Sequence, residues 1–172
     1  MNFDIFEPNK DLAPLIKCYW NLESPKEKTP QKNTIVPDGS MKMIFHYGDP
    51  YLHHTEDEKI IELERSLLIG QLTKPFIVEP AGETKTFFVC FHPNGFLPFA
   101  PYPIKEMENK AIPLANVFGA DGAELGQKIL EPNTPESRIE IVESFLLDRL
   151  KNSTVADRII NSTVDTILTA NG

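Results

Sequence analysis

The chain is short of cysteine, glycine, basic residues and long apolar runs, and each shortage excludes a class of protein. Two cysteines in 172 residues, Cys18 and Cys90, are too few for a disulfide scaffold. Both sit in apolar, strand-like runs, and Met1-Asn2-Phe3-Asp4 lacks the basic and apolar regions of an export signal. They read as small buried thiols in a reducing, cytoplasmic setting. No apolar stretch approaches the roughly 20 residues needed to span a bilayer, so no membrane partner is expected. Nine scattered glycines never form a phosphate-cradling loop between a strand and a helix. With 17 Lys and Arg against 25 Asp and Glu, the net charge of -8 describes a surface that repels nucleic acid. There is no Gly-x-Ser-x-Gly elbow and neither cysteine has a histidine beside it, so nothing points to nucleophilic catalysis.

What is present fits a single globular domain with a real core: 41% hydrophobic and 24% charged residues. The run after Pro14, ending in Cys18-Tyr19-Trp20-Asn21-Leu22, reads as a strand. Residues 24–34 are polar and read as a loop. Pro37-Asp38-Gly39 is a turn signal, because Pro presets φ, Asp bonds its own backbone and Gly accepts positive φ. The alternation from Met41 to Tyr47 makes residues 33–47 a predicted hairpin. Residues 48–64, acidic and polar with His53 and His54 among them, read as an exposed excursion. Leu67-Leu68-Ile69 and Phe76-Ile77-Val78 are short strands. Thr84 to Phe91 carries apolar side chains on both faces, as a central strand under a second layer would. It ends at His92-Pro93-Asn94-Gly95, and the proline-rich 96–103 stretch suits a lid or a partner surface better than a helix.

From about residue 113 the period changes. Thr134-Pro135-Glu136 is a helix start, and Ile139, Val142, Phe145, Leu146 and Leu150 form one apolar stripe. Asn152-Ser153-Thr154 ends that helix, and Ala156, Ile159, Ile160, Thr163, Val164, Ile167 and Leu168 mark a second stripe. The expected fold class is therefore α+β: an antiparallel barrel or sandwich over residues 1–112, followed by two or more helices in residues 113–172 of the same domain. Residues 131–172 hold seven acidic side chains against four basic ones, a poor balance for entering a DNA groove. These helices suit packing, linking or dimerisation. The second helical segment runs to Asn171-Gly172 with no further module, so the layout reads as a sensor domain without its output module.

Several short motifs occur in one order: Pro14-Leu15-Ile16-Lys17-Cys18-Tyr19-Trp20, Val36-Pro37-Asp38-Gly39, Met43-Ile44-Phe45, Gly70-Gln71-Leu72-Thr73, Phe91-His92-Pro93-Asn94-Gly95 and Phe145-Leu146-Leu147-Asp148-Arg149-Leu150. The series resembles the N-terminal regulatory domain of bacterial AraC-type transcription regulators, over roughly residues 10–172. The resemblance implies a cupin-like barrel followed by helices, binding of a small effector, dimerisation, or both. It also implies a DNA-binding domain of two helix-turn-helix units beyond the 155–170 segment, so that DNA is met only through that missing part.

Candidate residues follow. An apolar pocket would use aromatics with polar tips and a residue at the barrel mouth, which selects Trp20, Tyr47, Phe91 and His92 for ligand contact. Phe145, Ile159, Val164 and Ile167 are the candidates for dimerisation and transmission to the missing module. The histidines are His46, His53, His54 and His92, and they lack the spacing of a metal-ligand set. No catalytic residue, metal or cofactor is assigned. The expected function is a ligand-sensing or dimerising regulatory domain and not an enzyme. The alternatives are a stand-alone cupin-like enzyme or metal-binding protein, which would need a metal triad or an acid–base pair, and a purely structural dimerisation module.

Overall fold

The computed structural model describes residues 1–152, and within them strands precede helices with the switch at Pro113. The strands are β1 (Asn2–Phe6), β2 (Ile16–Ser24), β3 (Asn33–Ile35), β4 (Lys42–His46), β5 (Tyr51–His54), β6 (Ile60–Glu62), β7 (Ser66–Ile69), β8 (Phe76–Pro80), β9 (Thr84–Phe91) and β10 (Ala111–Pro113). They pair antiparallel in two sheets, one of six strands in the order β1-β2-β9-β4-β7-β10 and one of four in the order β3-β8-β5-β6. Neither sheet closes on itself. The β portion is thus built as two open layers, followed by α1 (Leu114–Phe118), α2 (Ala120–Leu130) and α3 (Pro135–Lys151).

β9 organises both layers. It lies between β2 and β4, and its alternation sends Phe87, Val89 and Phe91 into the main core shared with the helices. Phe88 points the opposite way, into a smaller core between the sheets. Tyr19 stacks on Phe87 at 5.9 Å and Phe45 leans on it at 6.2 Å, all three fully buried. Each such buried ring contributes about 1.5–3 kcal/mol of transfer free energy. Cys18 and Cys90, expected as buried thiols, are free and buried, and they are register partners across β2 and β9.

Two motif glycines have steric reasons. A Cβ at Gly70 would collide with the Met107 carbonyl, and one at Gly95 with the Leu15 carbonyl. These are the points where the chain after β7 and the chain after β9 touch another backbone, which only glycine permits.

Local reading failed in four places. The predicted hairpin over 33–47 does not form, because β3 pairs with β8 in the small sheet while β4 pairs with β7 and β9 in the large one. The turn itself is there: Gly39 has φ +75°, and Asp38 Oδ1 accepts from the Ser40 N–H at 2.9 Å. It carries the chain between layers, and nothing local encodes which edge each flanking strand joins. The expected excursion at 48–64 contains β5 and β6 of the small sheet. His53 and His54 are half-buried there, His53 stacked 3.8 Å from Phe76 and His54 paired to Glu79 at 2.7 Å. Residues 2–6 form an edge strand that the local pattern does not announce. The 96–103 stretch is no lid: Leu97–Phe99 makes one 3-10 turn, and Phe96 and Phe99 are buried in the main core against Phe91.

α3 begins as its sequence dictates. Thr134 accepts from the Ser137 N–H at 3.3 Å, Pro135 occupies the first turn and Glu136 faces the positive end of the helix dipole. Thr134→Ala is expected to lower stability by about 1 kcal/mol, read as a shifted urea midpoint with an unchanged slope. The buried stripe is Arg138, Val142 and Leu146, with Ile139, Phe145 and Leu150 half-buried beside it. The apolar periodicity gives no sign of the buried arginine in that stripe. The second stripe, from Ala156 to Leu168, lies outside the described residues.

Candidate functional site

Strand alternation builds a cavity on the face of the large sheet opposite the helices. On β4, Met43 and Phe45 face the helical core, which leaves Lys42, Ile44 and His46 on the other side. Register then aligns Trp20, Phe88 and Ile44 in one row across β2, β9 and β4, and Leu22, Thr86 and His46 in the next. The small sheet closes over these rows with Phe76 and Val78 from β8 and Tyr51 from β5. The space between the sheets is about 400 Å³, partly open to solvent and predominantly apolar. That volume lies toward the lower end of the roughly 300–1,000 Å³ typical of small-molecule sites.

Two of the polar groups lining it sit at the ends of β4, and Ser24, Asn33, Tyr51 and Thr84 are others. Lys42 and His46 are four residues apart on one strand face, about 13 Å at the usual strand rise. Lys42 is nearly buried and already satisfied, with Nζ 3.1 Å from Asp38 Oδ2 and 3.1 Å from Ser40 Oγ. His46 is fully buried. Its Nδ1 lies 3.2 Å from Thr86 Oγ1, and its ring meets Tyr51 edge-on at 5.2 Å. Its Nε2 is the one buried side-chain polar atom without a hydrogen-bond partner among the described residues. Burial first, and the Arg65 charge second, push its pKa down from 6.5 to about 4, so the ring is neutral at physiological pH. Arg65 itself is held by the His46 and Gly48 carbonyls. Near Lys42, burial and then Cys18 raise the Cys90 thiol far above its ordinary value, which makes it a poor nucleophile.

Of the four expected ligand residues, Trp20 lines this cavity and the other three do not. Tyr47 alternates to the opposite face, where its hydroxyl reaches Glu23 at 2.7 Å and Asn21 at 3.0 Å, and its ring lies 3.6 Å under the Arg138 guanidinium. Phe91 is packed in the helical core against Phe96. His92 lies beyond β9, half-buried, with its backbone N–H donating to the Leu15 carbonyl at 2.9 Å. That bond closes the turn after β9 and leaves the His92 ring outside the cavity wall.

Of the four dimerisation candidates, Phe145 is half-buried against Phe118 at 5.3 Å, with the Arg149 guanidinium 5.2 Å from its ring. Ile159, Val164 and Ile167 lie outside the described residues. The sequence reading missed His46, Ile44 and Phe88. The usable signal was the same alternation that placed Met43 and Phe45 together, since it necessarily puts Lys42, Ile44 and His46 on the other face.

A wider groove of about 850 Å³ runs between the 3-10 turn at Leu97–Phe99 and helices α2 and α3. It is more open and more polar, and it carries two ion pairs, Lys128 to Glu124 at 2.6 Å and Arg149 to Asp121 at 3.6 Å, beside the further acids Glu140 and Asp148. The smaller cavity between the sheets is the better ligand site because it is apolar and carries an unmatched polar atom. Among the described residues, no group of three or more His, Cys, Asp or Glu is placed to hold a metal ion, and no helix is long and apolar enough to cross a membrane.

The fold and cavity define a two-sheet α+β domain with a largely apolar pocket between the sheets. Residues 4–113, which span nearly all of the β portion, match the family model of a domain of unknown function, DUF6597, and the chain belongs to that family. No curated protein and no solved structure matches the chain.

Proposed function

We propose that this chain is the ligand-sensing domain of an AraC-type transcription regulator, of cupin-like descent, and that a small effector occupies the cavity between its sheets. The observation that carries this reading is the largely apolar cavity lined in part by His46, whose Nε2 has no partner. The order of motifs along the chain supports the family. A sensor must bind its ligand better in one state than in another. The position of the cavity suggests how that difference is transmitted. His46 faces the ligand side of the large sheet, and the next residue, Tyr47, holds Arg138 of α3 on the helix side. A shift of the His46–Tyr47 segment on ligand binding would therefore reach the helices directly. Phe145, together with Ile159, Val164 and Ile167 of the C-terminal segment, would join two copies and pass the change to a DNA-binding module.

The test has two parts. The coding sequence beyond Gly172 should continue into two helix-turn-helix units with a basic balance, and a stop codon directly after Gly172 would overturn the regulator reading. Light scattering on the purified chain should give the mass of a dimer at micromolar concentration. Stoichiometric iron, zinc, nickel or manganese in that preparation would favour the stand-alone metal-binding alternative.

A further inference from the structure

We infer that the cavity takes a neutral, largely apolar ring compound carrying a hydroxyl group, and that this hydroxyl bonds His46 Nε2. The inference rests on the cavity being a ligand site and specifies the chemistry of what enters it. Three observations converge. The wall is apolar and aromatic, with Trp20 and Phe88 on the large sheet and Phe76 on the small one. Flat rings fit such a slot because offset and edge-on contacts with aromatics are favourable.

Charge is unrewarded inside. The buried cation of the wall, Lys42, is already matched by Asp38 and Ser40, and the rim carries the exposed acid Glu27. A carboxylate would have to pass Glu27 and would meet a Lys42 already paired with Asp38, while an ammonium would be brought toward Lys42. Ionised groups are costly to bury without a partner.

Among the buried side-chain polar atoms of the described residues, one has no partner, His46 Nε2. Whether Nε2 is the donor or the acceptor depends on how Nδ1 shares a proton with Thr86 Oγ1, 3.2 Å away. A hydroxyl satisfies either tautomer, since it both donates and accepts. A ketone serves only the donor form. Leaving this atom unpaired lowers the stability of the empty protein, so His46 has the cost expected of a group kept for binding.

A matched series of probes tests this: p-cresol, p-xylene and p-toluate, which share a ring and differ in the polar group. Isothermal titration at pH 7 should show p-cresol binding about tenfold more tightly than p-xylene, the effect of one rescued buried hydrogen bond, and p-toluate binding more weakly than both. The ¹⁵N signals of the His46 ring should move with p-cresol and stay put with p-xylene. His46→Leu should fold with an unchanged or higher unfolding midpoint, keep its p-xylene affinity and lose the preference for p-cresol. His46→Gln, which offers a donor and an acceptor, should retain part of that preference.

Equal affinity for p-xylene and p-cresol, or a preference that survives in His46→Leu, would overturn the His46 anchor and leave the cavity as a ligand site. Tightest binding by p-toluate would overturn the neutral class. No binding by any of the three would overturn the cavity reading as well. The wild-type affinities and ring signals decide the matter even if a variant does not fold.

Discussion

Arg138→Ala is expected to lower the stability of this domain by about 3 kcal/mol, measured as the urea midpoint followed by the fluorescence of the single tryptophan, Trp20. Arg138 is 2% exposed, and its guanidinium has three partners. Nε donates to the Ile129 carbonyl at 3.1 Å, a terminal nitrogen donates to the Pro132 carbonyl, and the flat face lies 3.6 Å from the Tyr47 ring centre. The two carbonyls belong to the end of α2 and the connection to α3, where helix geometry leaves carbonyls without partners. Truncation removes the cation and leaves both acceptors unsatisfied, which costs more than the bonds contribute. Arg138→Lys should recover less than half of the loss, because one ammonium cannot copy the planar fork or stack on Tyr47. A loss below about 1 kcal/mol for the alanine variant would mean that water replaces the guanidinium at these carbonyls without strain. If the proposed route from His46 through Tyr47 to α3 operates, Arg138→Lys will also weaken the response of the helices to a bound probe while leaving its affinity nearly unchanged.

Acidification from pH 6.5 to pH 4 is expected to remove about 3 kcal/mol of stability through His46 alone. In the folded protein its pKa is lowered to about 4, first by burial and then by Arg65, whereas in the unfolded chain it is near 6.5. Between these values the unfolded chain binds a proton that the folded one refuses, so stability rises with pH. The contribution is fully present above pH 6.5, falls as pH drops through the window and levels off below about 4. Carboxylates titrate in the lower part of the same range, so the measurement is the difference between wild type and His46→Leu in urea midpoints at half-unit pH steps. Parallel curves would show that His46 is solvated in the folded state. A difference that is smallest near neutral pH and widens toward pH 4 is the expected result.

Much of the large sheet was legible in the sequence. The 84–91 run announced a strand with two apolar faces because its side chains are bulky on alternate sides for eight residues. Thr134-Pro135-Glu136 announced a helix start because capping is satisfied within four residues. The small sheet was much less legible. β5 and β6 are three or four residues long and carry histidine and glutamate, and what order they have comes from pairing with β8 and with each other. Tyr47 and Phe91 were chosen as ligand contacts for their chemistry, yet each sits on the helix side of its strand or of the strand end.

By itself the sequence determined the inner strands β2, β4, β7 and β9 of the large sheet, where α3 begins, which side chains share a strand face, and where the turn at Gly39 falls. These depend on period, turn chemistry and caps, all of which act over a few residues. Only the tertiary structure decided that β3 and β4 join different sheets, that the Ile44–His46 face meets a cavity while the Phe45–Tyr47 face meets helices, and that an arginine can be buried at position 138. Alternation defines two faces without saying what covers either. The covering layer is chosen by pairings between strands far apart in the chain, and a buried charge is tolerated only where distant carbonyls and an aromatic ring converge on it.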